Sequence, residues 1–132
     1  VKEQATKLLV PGTLWKEYHK EVGHIMTSEL LGLGLIDKAD VKNENPDWPA
    51  YKKYFMHGTS HHMGLDTHDY GLLWEPMQAN MVFTVEPGIY IPEEGFGIRL
   101  EDDVVIQQTG APFNLMRNIP ILADEIEDLM NS

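Results

Sequence analysis

Residues 57–69 read His57-Gly58-Thr59-Ser60-His61-His62-Met63-Gly64-Leu65-Asp66-Thr67-His68-Asp69, with four histidines and two aspartates among thirteen residues. Neutral imidazole is the commonest protein ligand for borderline metals, and it moves protons near neutral pH. A cluster of such polar rings is costly to bury unless something occupies it. His57 and His61 have helical spacing, but the glycines around them argue for a strand running into a loop. The helical His-Glu-x-x-His arrangement of zinc proteases is absent. Two later carboxylates, Glu86 and Glu101, interrupt segments that are otherwise apolar or β-branched. Taken singly, each is equally well explained as an edge residue or as the partner of an arginine such as Arg99. Together with His61 they make an N/O/O donor set suited to Mn²⁺, Co²⁺, Zn²⁺ or Fe²⁺.

The elements that must position these groups can be read from periodicity. Helices are expected over about 1–9, 13–33 and 123–131, and a sheet over about 54–107. In the second helix Leu14, Trp15, Tyr18, Val22, Ile25, Met26, Leu30, Leu31 and Leu33 form one broad stripe, with Thr13 as its N-cap and Gly34 as a left-handed terminator. His19 and His24 ride on it as boundary histidines. Residues 35–51 form a polar, broken stretch with a turn or helical stub, and Trp48 and Tyr51 pin it to the body. Tyr54 to His57 reads as a short strand entering the histidine cluster. Met81 to Glu86 alternates as a strand, with Val82, Thr84 and Glu86 on one face. Pro87-Gly88 interrupts it, Ile89 to Ile91 continues it, and Pro92 to Gly95 turns. Gly97 to Ile106 is the antiparallel partner, with Arg99, Glu101 and Asp103 on one face. Phe113 to Leu115 is a candidate last strand. The order predicts an α+β domain with helices packed on a curved antiparallel sheet.

The totals exclude several functions. At 132 residues with 42% apolar content, the chain has single-domain length and can bury a core. A net charge of −11, from 21 acidic and 10 basic residues, argues against nucleic acid and anionic membranes as partners. An acidic surface attracts cations, although solubility explains it more simply. With no cysteine, disulfides and thiolate metal sites are excluded. No apolar run approaches the ~20 residues that span a bilayer. A cytoplasmic location is expected.

Three motifs carry a resemblance. They are His57-Gly-x-x-His61-x-x-Gly64-Leu65-x-x-His68-Asp69, then Met81-Val-Phe-Thr-Val-Glu86-Pro87-Gly88-Ile-Tyr, then Gly97-Ile-Arg99-Leu-Glu101-Asp-Asp. In this order they resemble the M24-type pita-bread metallopeptidases, and among these the aminopeptidase P and prolidase branch. The resemblance implies the second half of a pita-bread catalytic domain spanning residues 1–132. It implies a parent enzyme that uses two divalent metal ions, Mn²⁺ foremost, to hydrolyse the bond before proline in peptides with proline at the second position. By the same resemblance His61, Glu86 and Glu101 are metal ligands, with Glu101 bridging. Glu86 also handles the proton of the nucleophile. His57 and His68 contact substrate and move protons, while Arg99 supports the site from behind and Asp69 either does the same through His68 or is an ordinary turn aspartate.

The chain departs from that pattern in four places. The family's two aspartate ligands precede everything here, and Asp37, Asp40 and Asp47 do not match their segment. The expectation is therefore a C-terminal fragment that holds three of five ligands, is inactive by itself, and needs the N-terminal half of the same enzyme. Unpaired edges and apolar faces predict self-association, and a homo-oligomer is expected. His62 stands where an apolar or aromatic residue is usual, and it is expected to face solvent. Asn80 stands where glycine is usual, and it can adopt the left-handed conformation glycine would supply. The competing reading is a pita-bread relative that binds peptides or proteins without cleaving them. A cupin-like metal protein would need a His-x-His pair on one strand, and the chain has none.

Overall fold

The computed structural model describes all residues, Val1–Ser132. Its helices are α1 (Lys2–Lys7), α2 (Trp15–Gly32), α3 (Lys38–Lys42) and α4 (Ala123–Met130). Its strands are β1 (Val82–Val85), β2 (Gly88–Ile91), β3 (Phe96–Arg99), β4 (Asp102–Val105) and β5 (Phe113–Asn114).

α2 is the central helix because Tyr18, Val22, Met26 and Leu30 recur every fourth residue, and all four are buried. Leu14 takes the N-cap position in place of Thr13, and no side chain caps the helix. The Thr13 hydroxyl instead donates to the Leu8 carbonyl at 3.0 Å, which holds the α1–α2 connection. At the other end Gly34 has φ +72°, and the Leu35 N–H reaches back to the Leu30 carbonyl at 3.0 Å. This satisfies one of the carbonyls a helix end would otherwise leave open. Asp37 and Asp40 form a reciprocal capping box on α3. Two of the chain's aspartates are thereby accounted for without any metal.

The strands form one long hairpin broken in the middle. β1 pairs antiparallel with β4 from Val82↔Val105 to Val85↔Asp102, and β2 pairs with β3 from Gly88↔Arg99 to Ile91↔Phe96. The break falls at Glu86-Pro87 on one side and Leu100-Glu101 on the other. Pro87 has no N–H to donate, so the ladder cannot run through it. β5 extends β4 on its far side. The α2 stripe, Ala5 and Leu9 pack with Phe83, Val85, Val104 and Ile106 as the core.

Residues 54–57 are not a strand. Tyr54 and Phe55 follow a 3₁₀ turn, Ala50–Lys53, and both are buried, at 5% and 2% exposure. Consecutive side chains of a strand point to opposite faces, so two neighbours sinking into one core is incompatible with strand geometry. The segment that runs beside β1 lies a few residues later. The Glu86 N–H donates to the Thr59 carbonyl (2.8 Å), Thr84 to His61 (3.1 Å) and Met63 to Val82 (3.4 Å).

Candidate metal and histidine site

β1 and the 59–63 segment bring His61 and Glu86 together. Thr84 faces the same side as Glu86 and works in three directions. Its N–H donates to the His61 carbonyl, its hydroxyl oxygen accepts from the His61 N–H at 3.1 Å, and its hydroxyl donates to Glu86 Oε1 at 3.3 Å. The His61 backbone is thus clamped to β1 before its ring is considered.

The ring nitrogens can be assigned by elimination. His61 Nδ1 lies 2.9 Å from the His62 carbonyl oxygen, which can only accept, so Nδ1 carries the hydrogen. A neutral ring then aims the Nε2 lone pair at Glu86 Oε1, 3.0 Å away. Two lone pairs at that distance repel unless a cation lies between them, either a proton on the imidazole or a metal ion. Two donors at right angles about an ion, each at about 2.1 Å, stand about 3 Å apart. The pair therefore fits a divalent metal in chemistry and in bite.

The third donor is not closed onto the other two. Arg99 bridges the glutamates, its guanidinium 3.6 Å from Glu86 Oε2 and 3.8 Å from Glu101 Oε2. No three His, Asp or Glu side chains stand close enough together to form a finished metal cage. Burial raises the Glu101 carboxyl above its ordinary range, the Glu86 charge adds to the rise, and Arg99 opposes it. Asp103 is also raised, mainly by burial, with His61 opposing. Asp103 lies opposite Thr84 in the ladder, which places it on the edge of the same group.

His57 is held through both ring nitrogens. Its Nδ1 donates to the Gly58 carbonyl (2.8 Å), so Nε2 accepts from the Tyr90 hydroxyl (2.8 Å). The tautomer is fixed by the backbone, and Tyr90 holds the ring from β2. His68 packs edge-on against His61, with ring centroids 4.2 Å apart. Asp69 does not hold His68. Its carboxylate accepts from the Tyr70 N–H at 2.7 Å, and that bond holds its pKa below the ordinary range. It is a turn aspartate, and the expected support of His68 has no contact behind it. Asn80 has φ +70°, as its sequence context implied.

His62 also departs from expectation. Its ring is half-buried, stacked on Trp15 (centroids 5.9 Å, planes 13° apart) and tilted against Phe83 at 4.5 Å. Burial lowers its pKa, with the Asp69 charge opposing. The two large rings offer more contact than solvent does. Of the α2 histidines, His24 is exposed, while His19 lies against Trp15 and Tyr18 and burial lowers its pKa. Sequence spacing missed two further supports. The Tyr18 hydroxyl and Ser60 Oγ share a buried 2.7 Å hydrogen bond, and Lys2 pairs with the buried Asp102. Neither has a local signal, since the partners are distant in the chain. Thr84 could have been found from its alternation with Glu86.

A family model described as metallopeptidase family M24 matches residues 1–108, which include every side chain of this site. The chain belongs to metallopeptidase family M24. Members of this family are metallopeptidases, so divalent metal ions are implied for it. Among curated M24 relatives, the Xaa-Pro aminopeptidase of Escherichia coli is 43% identical over 97% of this chain and 31% of its own length. A zinc-substituted aminopeptidase P from E. coli, solved in complex with product, superposes with a TM-score of 0.80 at 41% identity, over 97% of this chain and 31% of that one. An aminopeptidase from Pseudomonas aeruginosa superposes with a TM-score of 0.80 at 33% identity, over 98% of this chain and 32% of that one. The chain thus spans about a third of the length of the relatives it matches. The fold is the pita-bread fold of aminopeptidase P, and its class is α+β.

Proposed function

We propose that this M24 chain is the C-terminal metal-site half of a dinuclear Xaa-Pro aminopeptidase or dipeptidase, which hydrolyses the peptide bond before proline. The observation that carries the proposal is His61 Nε2 facing Glu86 Oε1 at 3.0 Å, with Nδ1 turned away to the His62 carbonyl. His61, Glu86 and Glu101 would hold the metal ions. Two aspartates outside this chain complete the ligands, and the chain by itself is inactive. When bound, the metals, Mn²⁺ in our reading, supply Lewis acidity and lower the pKa of water.

The chain's own residues do the rest. Glu86 takes the proton of the attacking water through the oxygen not engaged by Thr84. His57, fixed as the Nδ1–H tautomer, keeps Nε2 and the Tyr90 hydroxyl as a paired acceptor and donor toward substrate. His68, exposed and adjacent to His61, delivers a proton toward the leaving proline nitrogen and steadies the developing oxyanion. Arg99 balances the charge of the two glutamates and orients them from behind. Peptides with proline at the second position are the proposed substrates. A homo-oligomer and a cytoplasmic location complete the proposal.

The test is hydrolysis of an Xaa-Pro peptide by the complete protein, metal-free and with Mn²⁺ restored, beside Glu86→Gln. Cleavage that requires Mn²⁺ and disappears in Glu86→Gln is expected. If the metal-loaded protein binds the peptide without cleaving it, a non-catalytic binding module is the better account.

A further inference from the structure

The loop carrying His68 meets the body at few points, and two of them involve His62. The large side chains of Leu65, Tyr70, Leu73 and Trp74 are all exposed, so the loop has no core of its own. We propose that His62 is a positioning residue that clamps the 63–72 loop, and with it His68, against α2 and β1. This rests on the role given above to His68.

Three observations converge on it. The His62 ring lies on Trp15 of α2 and Phe83 of β1, joining both body elements at one point. The far end of the loop closes over the same ring, because a Cβ added to Gly71 would stand 2.0 Å from His62 Cδ2 and Nε2. Only glycine lets the backbone lie there. The His62 carbonyl, meanwhile, accepts from both the Asp69 N–H (3.0 Å) and His61 Nδ1 (2.9 Å). One oxygen therefore fixes the orientation of the His61 ring and the position of the residue that follows His68. The near end repeats the device, since a Cβ on Gly64 would meet the Asp69 carboxylate at 2.1 Å. The loop folds onto itself around two glycines and hangs from one stacked ring.

The clamp predicts a pattern in the complete protein, read by peptide-level hydrogen exchange and by kinetics on an Xaa-Pro peptide with Mn²⁺. His62→Asn keeps a polar side chain but loses both ring contacts. It should speed exchange over residues 63–72 by about tenfold, as expected when two aromatic contacts are lost. It should also lower kcat by about tenfold or more with KM changed by less than about threefold, the mark of a group lost from the transition state. His62→Phe restores the stack and should return both readouts close to the starting protein. Gly71→Ala leaves His62 in the chain but evicts its ring, and should reproduce His62→Asn. Unchanged exchange in His62→Asn, failure of His62→Phe to rescue, or a loosened loop with unchanged kcat would each overturn the clamp. So would exchange that rises equally across β1 and β4, which marks a general folding defect. If the unaltered protein cleaves no Xaa-Pro peptide, the role of His68 fails, and exchange alone still decides whether His62 holds the loop.

Discussion

The two halves of the long hairpin meet opposite surroundings. In β1 and β4, Phe83, Val85 and Val104 are fully buried under α1 and α2, and β5 covers one edge. In β2 and β3, every residue of β3 is exposed, with Phe96 and Ile98 at 53% and 62%. An apolar groove of about 500 Å³ runs between this outer half and the end of α2, lined by Leu33, Ile89, Phe96 and Ile98 among others. A two-stranded ribbon is marginal by itself, whereas a sheet packed on helices is not. Glu86 and Glu101 sit at the seam between the halves. The packed half provides fixed geometry, with Thr84 holding both His61 and Glu86. The outer half contributes Arg99 and Tyr90, which reach back across the seam. The difference shows how a β-hairpin can carry acidic side chains at one seam: the ladder is interrupted beside Glu86 and Glu101, and Pro87 makes the interruption.

Substitutions can sharpen that contrast, and the largest effect belongs in the packed half. Phe83→Ala should cost about 3–5 kcal/mol in urea unfolding, because a fully buried aromatic leaves a cavity between α2 and the sheet. Ile98→Ala in the outer half should change stability by less than about 0.5 kcal/mol. Equal costs would erase the distinction. Next is the buried hydrogen bond that ties α2 to the histidine segment. Ser60→Ala strands the Tyr18 hydroxyl and should cost about 1–3 kcal/mol, while the double variant Tyr18→Phe with Ser60→Ala should recover part of the loss. An additive double variant would show that the bond does no coupling.

The smallest effect is one of pH. Burial against Trp15 and Tyr18 holds His19 below its ordinary 6.5. The unfolded chain takes up that proton first, so this contribution to stability is full above about pH 6.5 and is lost as pH falls through the folded value. His19→Gln should flatten the decline in urea midpoint between about pH 7 and pH 5. An unchanged slope would assign the acid sensitivity to other groups.

Much of this was legible in the chain itself. The four-residue recurrence along α2, the alternation through Thr84 and Glu86, and the breaks at Pro87-Gly88 and Pro92–Gly95 are local signals of backbone geometry. They placed the helix and the paired strands. The motif order pointed to the M24 family, and the pairing of His61 with Glu86 then emerged as geometry. What was not legible depends on contacts distant in sequence. Tyr54 and Phe55 look like strand residues, yet the core takes both side chains at once. His62 looks polar and loop-bound until Trp15, 47 positions earlier, is seen beneath it. Asp69 follows His68 but serves its own turn. The resemblance offered His68 as its partner beside a plain turn role, and the backbone N–H of Tyr70 takes the carboxylate.

The most direct test of the site is calorimetric titration of Mn²⁺ into the complete, metal-stripped protein, beside His61→Ala and Glu101→Gln. Two ions bound by the unaltered protein are expected, with both ions weakened at least tenfold by Glu101→Gln and one lost in His61→Ala. Mn²⁺ binding that is unchanged in both variants would contradict the assignment of these residues as metal ligands.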